Sequence, residues 1–251
     1  MPVASCQPKA SSITVINPGR VAYADAERLQ KALVRRRQAG EIGDVLVLLE
    51  HEPVITLGRN AQAANVLSAP GELARRGIAL AECDRGGDVT YHGPGQLVGY
   101  PILDLRGCAR PAFLPARTGR LELGPVDYVR ALEEVLIRVA ADCGVACRRI
   151  PGLTGVWTQA EPARKLAAIG VHIARGVTSH GFALNLNPDL AGFDLIVPCG
   201  IRDRGVSSIS HEIGTESGTE WTVERVAPLV EHRFLEIFGR QLAAAPVSWD
   251  D

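Results

Sequence analysis

The densest run of residues able to do chemistry is Arg85-Gly86-Gly87-Asp88-Val89-Thr90-Tyr91-His92-Gly93-Pro94-Gly95-Gln96-Leu97-Val98-Gly99-Tyr100, with five glycines and one proline in sixteen residues. Glycine lets a ligand come close to the backbone, and Arg85, Thr90, His92 and Gln96 set donors and acceptors along it. The same run also reads as a β-turn region holding a hydrogen-bonded histidine, and the residue types leave both readings open. A second candidate is Lys165. Of 27 basic residues 24 are arginine, the lysines being Lys9, Lys31 and Lys165. Arginine stays protonated, whereas burial can move a lysine far enough for proton transfer. If Lys165 to Ile173 is a strand, alternation puts Lys165 on one apolar face with Ala167, Ile169, Val171 and Ile173, and so buries the ammonium. The alternative is a lysine at a strand end that reaches water. The third candidate, Cys199, follows the apolar run Leu195-Ile196-Val197-Pro198 and precedes Gly200, a loop end that suits a nucleophile better than the usual inert buried thiol.

Composition narrows the classes. The 251 residues carry 27 Lys+Arg against 28 Asp+Glu, a formal charge of -1, which argues against a general nucleic-acid binder. No lysine follows a glycine, so there is no Walker A segment, and the Gly93 to Gly99 run misses the dinucleotide fingerprint by one residue. Gly-x-Ser-x-Gly, His-Glu-x-x-His and Cys-x-x-Cys are all absent, and Cys143 and Cys147, without a matching histidine pair, read as packing residues; no metal site is expected. No apolar stretch approaches a membrane span and the first twenty residues lack a signal-peptide core. The expected setting is the cytoplasm, with no membrane or nucleic-acid partner.

The elements that must hold these residues follow from periodicity. Apolar residues at helical spacing predict helices over Val21 to Gln38, Glu72 to Arg76, Tyr128 to Ala141 and Val223 to Phe238. Short β-branched runs predict strands at Ile13 to Ile16, Val45 to Leu49, Val54 to Leu57, Ile78 to Glu82, Lys165 to Ala174 and His180 to Leu186. Strands arriving both in pairs and between helices imply an α/β (α+β) sandwich with a mixed sheet. A single domain over residues 13–240 is expected, with tails at 1–12 and 241–251; Arg106 to Gly124 fits no motif.

The motifs Arg85-Gly86-Gly87, Thr90-Tyr91-His92, Gln96 and Tyr100, followed by Lys165-Leu166-Ala167-Ala168-Ile169-Gly170, Ser179-His180-Gly181-Phe182-Ala183-Leu184-Asn185 and Pro198-Cys199-Gly200, resemble in order and spacing the octanoyltransferases of lipoic acid synthesis, the LipB family. The resemblance implies the catalytic module shared with biotin protein ligases and lipoate ligases. It implies that Cys199 is an acyl-thioester nucleophile and Lys165 its activating partner. Arg85, Gly86, Gly87, Asp88, Val89, Thr90, Tyr91, His92, Ala168, Ile169, Gly170, His180, Gly181, Phe182 and Ala183 would line the substrate site. The implied donor is octanoyl-acyl carrier protein, and the acceptors are lipoyl domains of 2-oxoacid dehydrogenases and the glycine cleavage H protein, with no cofactor. His92 and His180 would orient Lys165 or the substrate carbonyl. An ATP-dependent lipoate or biotin-type ligase and a non-catalytic acyl-binding module are the rivals. Arginine clusters at Arg35 to Arg37, Arg75-Arg76 and Arg148-Arg149 are candidate docking points for an acidic carrier.

Overall fold

The computed structural model describes residues 12–115, 123–198, 204–214 and 219–243. Cys199 and Gly200 lie outside the described residues, as do most of both expected tails. The elements run β1 (Ser12–Val21), α1 (Tyr23–Ala39), β2 (Asp44–His51), β3 (Val54–Leu57), α2 (Pro70–Arg75), β4 (Ala79–Glu82), β5 (Val89–His92), β6 (Gln96–Ile102), α3 (Pro125–Asp142), β7 (Cys147–Ile150), β8 (Leu153–Thr158), β9 (Lys165–Ala174), β10 (Val177–Asn185), α4 (Ile209–Ile213), α5 (Val223–Phe238) and β11 (Gln241–Leu242). No described helix is long and apolar enough to cross a membrane.

Period-2 alternation in the strands builds two layers on one sheet. The large sheet has the order β11-β1-β2-β6-β10-β9-β8-β7; β1 pairs in parallel with β2 and β11, and the remaining pairs are antiparallel. Leu46, Leu48, Leu97, Phe182 and Leu184 face one side, where α3 and α5 bury Tyr128, Leu132, Val135, Leu136, Val230 and Phe234. Val45, Val47, Leu49, Val98 and Tyr100 face the other, under Ala26 and Leu33 of α1. Both α3 and α5 carry the helical apolar stripe read from the sequence, and α5 has the expected bounds. At its start the Thr222 side chain accepts from the Arg225 N–H, which caps the helix.

A second, three-stranded sheet, β4-β3-β5, has its own small core of Ile55, Leu73, Val89, Tyr91, Phe193, Leu195 and Ile196. It packs over the α1 side of the large sheet, where the Gly86 N–H donates to the Val171 carbonyl at 3.0 Å. At the C-terminal end of the described residues, Gln241–Leu242 pair with Ser12 and Ile13. The glycine-rich run is less loop-like than its composition suggests: it is two strands, β5 and β6, joined by a turn at Gly93 to Gly95. Strands β7 and β8 have no counterpart in the periodicity reading.

Candidate active site

Between the two sheets lies a narrow slot of about 50 Å³. Its floor comes from alternate residues of adjacent strands, Ala168 and Gly170 of β9 and Gly181 and Ala183 of β10, with Val98 and Tyr100 of β6 beside them. All four floor residues are glycine or alanine, so room is left where larger side chains would meet the opposing layer. A Cβ added at Gly170 would sit 2.6 Å from the Gly86 carbonyl oxygen, so only glycine allows the Arg85 loop to lie there. Ile169 and Phe182 line the slot, but their side chains join the α3–α5 core. A much larger hollow, about 690 Å³, opens around Arg20, Gly95, Asn187 and the start of α5; of the expected site residues it touches Tyr91 alone.

The Arg85 to His92 segment divides by parity. Thr90 and His92 face the slot, whereas Val89 and Tyr91 turn into the core of the small sheet, where the Tyr91 ring stands edge-on to Phe193 at 5.5 Å. The two sides of β5 thus have different partners, and of the expected lining Val89 and Tyr91 lie outside the slot. Arg85 donates to the Thr56 carbonyl at 2.8 Å, the Thr56 hydroxyl at 2.9 Å and the Gly86 carbonyl at 3.2 Å. Asp88 accepts from the Gln62 N–H at 3.1 Å and from the Asn65 side-chain amide, so its carboxylate ties down a neighbouring loop.

Thr56 begins a buried polar chain. Its hydroxyl lies 3.4 Å from His92 Nε2; His92 Nδ1 lies 2.6 Å from Gln96 Oε1; Gln96 Nε2 donates to Asn185 Oδ1 at 2.8 Å; Asn185 Nδ2 donates to the Ser207 carbonyl at 2.9 Å; and the Ser207 N–H donates to the Lys165 carbonyl at 2.9 Å. Gln96 also donates to the Tyr91 carbonyl at 3.2 Å, which leaves its oxygen facing His92 and fixes Nδ1 as the protonated nitrogen. Burial, helped by the nearby His51, pushes the His92 pKa down to about 3, so the ring is neutral. His51, absent from the sequence candidates, donates from Nδ1 to the Val21 carbonyl at 3.2 Å and accepts from the Tyr100 hydroxyl at 2.6 Å through Nε2. Burial lowers its pKa to about 4.

His180 closes the other side of the slot. It adopts φ 54° in β10, its N–H donates to Gln30 Oε1 at 2.8 Å, and its Nε2 lies 2.6 Å from Asp84 Oδ1. Burial lowers the His180 pKa while Asp84 opposes that shift. Burial would raise the Asp84 carboxyl, but the hydrogen bond and charge of His180 bring it below the usual carboxylate range. Among the described contacts neither His92 nor His180 touches the Lys165 side chain; His92 reaches only its backbone, through the amide chain.

Lys165 is 7% exposed, as the sequence implied, but on the opposite face. Val156 pairs with Ala167 and its neighbour Trp157 with Lys165, so Leu166 is one residue too many in β9. This bulge sends Leu166 and Ala167 both into the α3–α5 core and turns Lys165 to the side of its partner Trp157. The ammonium lies 4.9 Å from the center of the Trp157 ring. Beside it the chain returns from the Cys199 segment: the Lys165 N–H donates to the Gly205 carbonyl at 2.9 Å and Lys165 pairs in parallel with Val206. On the near side of that segment the Val197 N–H donates to the Asn65 carbonyl at 2.8 Å. Cys143 and Cys147 pack in the core, where burial lifts their thiols to about 11 and about 12. Among the described residues no cluster of ligating side chains could hold a metal.

The mixed sheet, covered by α3 and α5 on one face and by α1 and the small sheet on the other, overlays with solved lipoate protein ligases. The crystal structure of lipoate-protein ligase A bound with ATP overlays with a TM-score of 0.70 at 15% identity, covering 95% of this chain and 90% of that one. The bipartite lipoate protein ligase of Thermoplasma acidophilum overlays at 0.67 and 12% identity, covering 95% and 88%. At that identity the likeness concerns the fold alone. The family model for the lipoyl protein ligase A/B catalytic domain matches residues 22–235, and the chain belongs to that family. Among its relatives are octanoyltransferases of Koribacter versatilis, 53% identical over 92% of this chain and 86% of that protein, and of Acidobacterium capsulatum, 52% identical over 92% of each. The octanoyltransferase of Chloroflexus aurantiacus is 49% identical over 86% of this chain and 91% of that protein.

Proposed function

We propose that this chain is an acyltransferase that moves an octanoyl group from octanoyl-acyl carrier protein to a lysine of lipoyl domains and of the glycine cleavage H protein, through a thioester on Cys199. The octanoyl group comes from the names of relatives that are 49% to 53% identical. The chemistry rests on one observation, the setting of Lys165: a buried ammonium with no carboxylate partner among the described residues, on the strand that pairs with the chain just beyond Cys199.

In the first step the Cys199 thiol gives its proton to Lys165, and the sulfur attacks the donor carbonyl. The carrier thiolate leaves and takes that proton back from Lys165, whose amine is then neutral. One thioester replaces another, so this exchange has little free-energy cost. In the second step the acceptor amine attacks the enzyme thioester, Cys199 leaves as thiolate, and Lys165 accepts the proton lost by nitrogen. Aminolysis of a thioester to an amide is downhill, and no nucleotide is consumed. The slot, with its small-residue floor and the neutral His92 beside it, suits an uncharged alkyl chain, and its narrowness means that the alkyl chain must widen it on entry. Working setting is the cytoplasm, where such carriers and acceptors meet.

The test is a purified system of octanoyl-carrier thioester, lipoyl domain and this protein without ATP. Amide should form, and mass spectrometry of the enzyme with donor alone should find octanoyl on Cys199. A ligase would require ATP, and a binding module would carry no adduct; either result overturns the proposal.

A further inference from the structure

Among the described residues no carboxylate pairs with the Lys165 side chain. Its backbone is fixed at both polar groups, by the Gly205 carbonyl and the Ser207 N–H, each at 2.9 Å. Gly155, at φ 121°, lies against the same strand, where a Cβ would stand 2.6 Å from the Ala167 carbonyl oxygen. Three glutamates of neighbouring elements, among the described residues, already have arginine partners. Glu133, which accepts from the Gly155 N–H, is paired with Arg130 and with Arg149; Glu161 is paired with Arg148, on the strand next to Trp157; and Glu212 is paired with Arg164 at 2.9 Å. What faces the ammonium is the indole of Trp157. That ring is fully buried, is fixed by its Nε1 donating to the Leu153 carbonyl at 3.3 Å, and is Lys165's register partner across β8 and β9. The Arg204 guanidinium lies over the same ring at 5.9 Å.

A buried cation needs a partner, and the two kinds of partner differ in what they leave behind. A carboxylate would hold the ammonium and cancel its charge. An aromatic face holds it through its quadrupole, strongly when water is excluded, and leaves the full positive charge in place. We propose that Trp157 is a positioning residue for the transfer reaction: its ring fixes the Lys165 ammonium while leaving that charge free to stabilise the anion formed on sulfur or on the thioester oxygen. Arg204 on the same ring adds positive potential, where a carboxylate would have removed it. The inference rests on the acid-base reading of Lys165 given above.

The test compares Trp157→Phe, which keeps an aromatic face, with Trp157→Leu, which keeps apolar bulk without one. The measurements are single-turnover acylation by octanoyl-pantetheine and the pH at which iodoacetamide labels half of Cys199, followed by peptide mass spectrometry. Trp157→Leu should slow acylation roughly tenfold, the loss of one desolvated cation–π contact, and shift labelling to higher pH; Trp157→Phe should stay within about threefold. Equal behaviour of the two variants would reduce Trp157 to packing and overturn the inference. Should the leucine variant not fold, tryptophan fluorinated stepwise at position 157 keeps the shape and weakens the quadrupole. Acylation should fall with each fluorine, and a flat series overturns the inference. Lys165→Ala separates the two levels: if it acylates normally, the acid-base reading fails, whereas if it is inactive and the fluorinated series is flat, Trp157 alone loses its role.

Discussion

Two cations are buried in this molecule to nearly the same degree, Lys165 at 7% and Arg240 at 8% exposure, and their surroundings could hardly differ more. Arg240 meets Asp44 at 2.8 Å and donates to the Cys108 sulfur at 2.7 Å, while Arg37 takes the other oxygen of Asp44 at 2.9 Å. Burial keeps the Cys108 thiol protonated, with a pKa lifted to about 11. That cluster is a cross-link: it ties the residue before β11 to the start of β2, and because Arg37 also meets Asp104 at 3.8 Å, its two guanidiniums face two carboxylates. At Lys165 the buried ammonium meets an aromatic ring and has no carboxylate partner among the described residues. Burial of a cation therefore says little about its role; what cancels it decides whether it is a structural tie or a reagent.

This contrast can be broken from both ends. Lys165→Ala should lower turnover by about 10² to 10⁴-fold, the range of general acid–base catalysis, with little change in the thermal midpoint. An active but unstable variant would make Lys165 a second structural cation. Asp44→Ala should destabilise the fold by roughly 3 to 5 kcal/mol in urea titration, because it strands a buried guanidinium, while turnover per folded molecule is unchanged. A large turnover defect in the folded fraction would undo the distinction.

The histidines beside the slot sharpen it through pH. His51 and His92 remain neutral in the fold down to about 4 and about 3, against 6.5 when unfolded. The unfolded chain takes up protons that the fold refuses, so their contribution is complete above 6.5 and is lost as pH falls toward 4 and then 3. Urea midpoints measured from pH 7 to 4 should therefore decline, and His51→Gln and His92→Gln should each flatten the decline by up to one proton. An unchanged slope in both variants would mean that these rings charge readily inside the fold. The smallest effect is expected at the surface. Arg148 pairs with Glu161 and Arg149 with Glu133 and Glu134, while Arg75 and Arg76 share Glu72, so the first cluster is neutralised at source and the second partly so. Replacing Arg75 and Arg76 by Gln should change the donor KM less than twofold; a larger, salt-dependent change would restore the docking role that their sequence suggests.

Local patterns were legible where a single element determines them. The apolar stripe of α5 and the β-branched residues of β9 gave the right bounds because burial on one face repeats along each element. The motif residues Gly86, Gly170, Gly181 and His92 meet in one slot, which the resemblance implied and no short window of sequence could derive. Parity failed at Lys165 because the register between β8 and β9 contains a bulge, a property of two strands that neither strand displays alone. For the same reason the contact of Trp157 with Lys165 was out of reach, although both residues were visible. His51 could have been noticed as the polar end of the fully buried strand Asp44–His51. Its bond to Tyr100 depends on the packing of β2 against β6, which their sequences do not declare.

The chain of contacts from Thr56 through His92, Gln96 and Asn185 to Ser207 has a consequence for proton traffic. Gln96 and Asn185 are carboxamides with fixed donor and acceptor ends, neither able to pass a proton along, and the link to Lys165 ends on a peptide carbonyl. The array conducts alignment and insulates against charge. On the proposed mechanism, a proton that Lys165 gives or receives crosses to sulfur, to the acceptor nitrogen or to water rather than along this array.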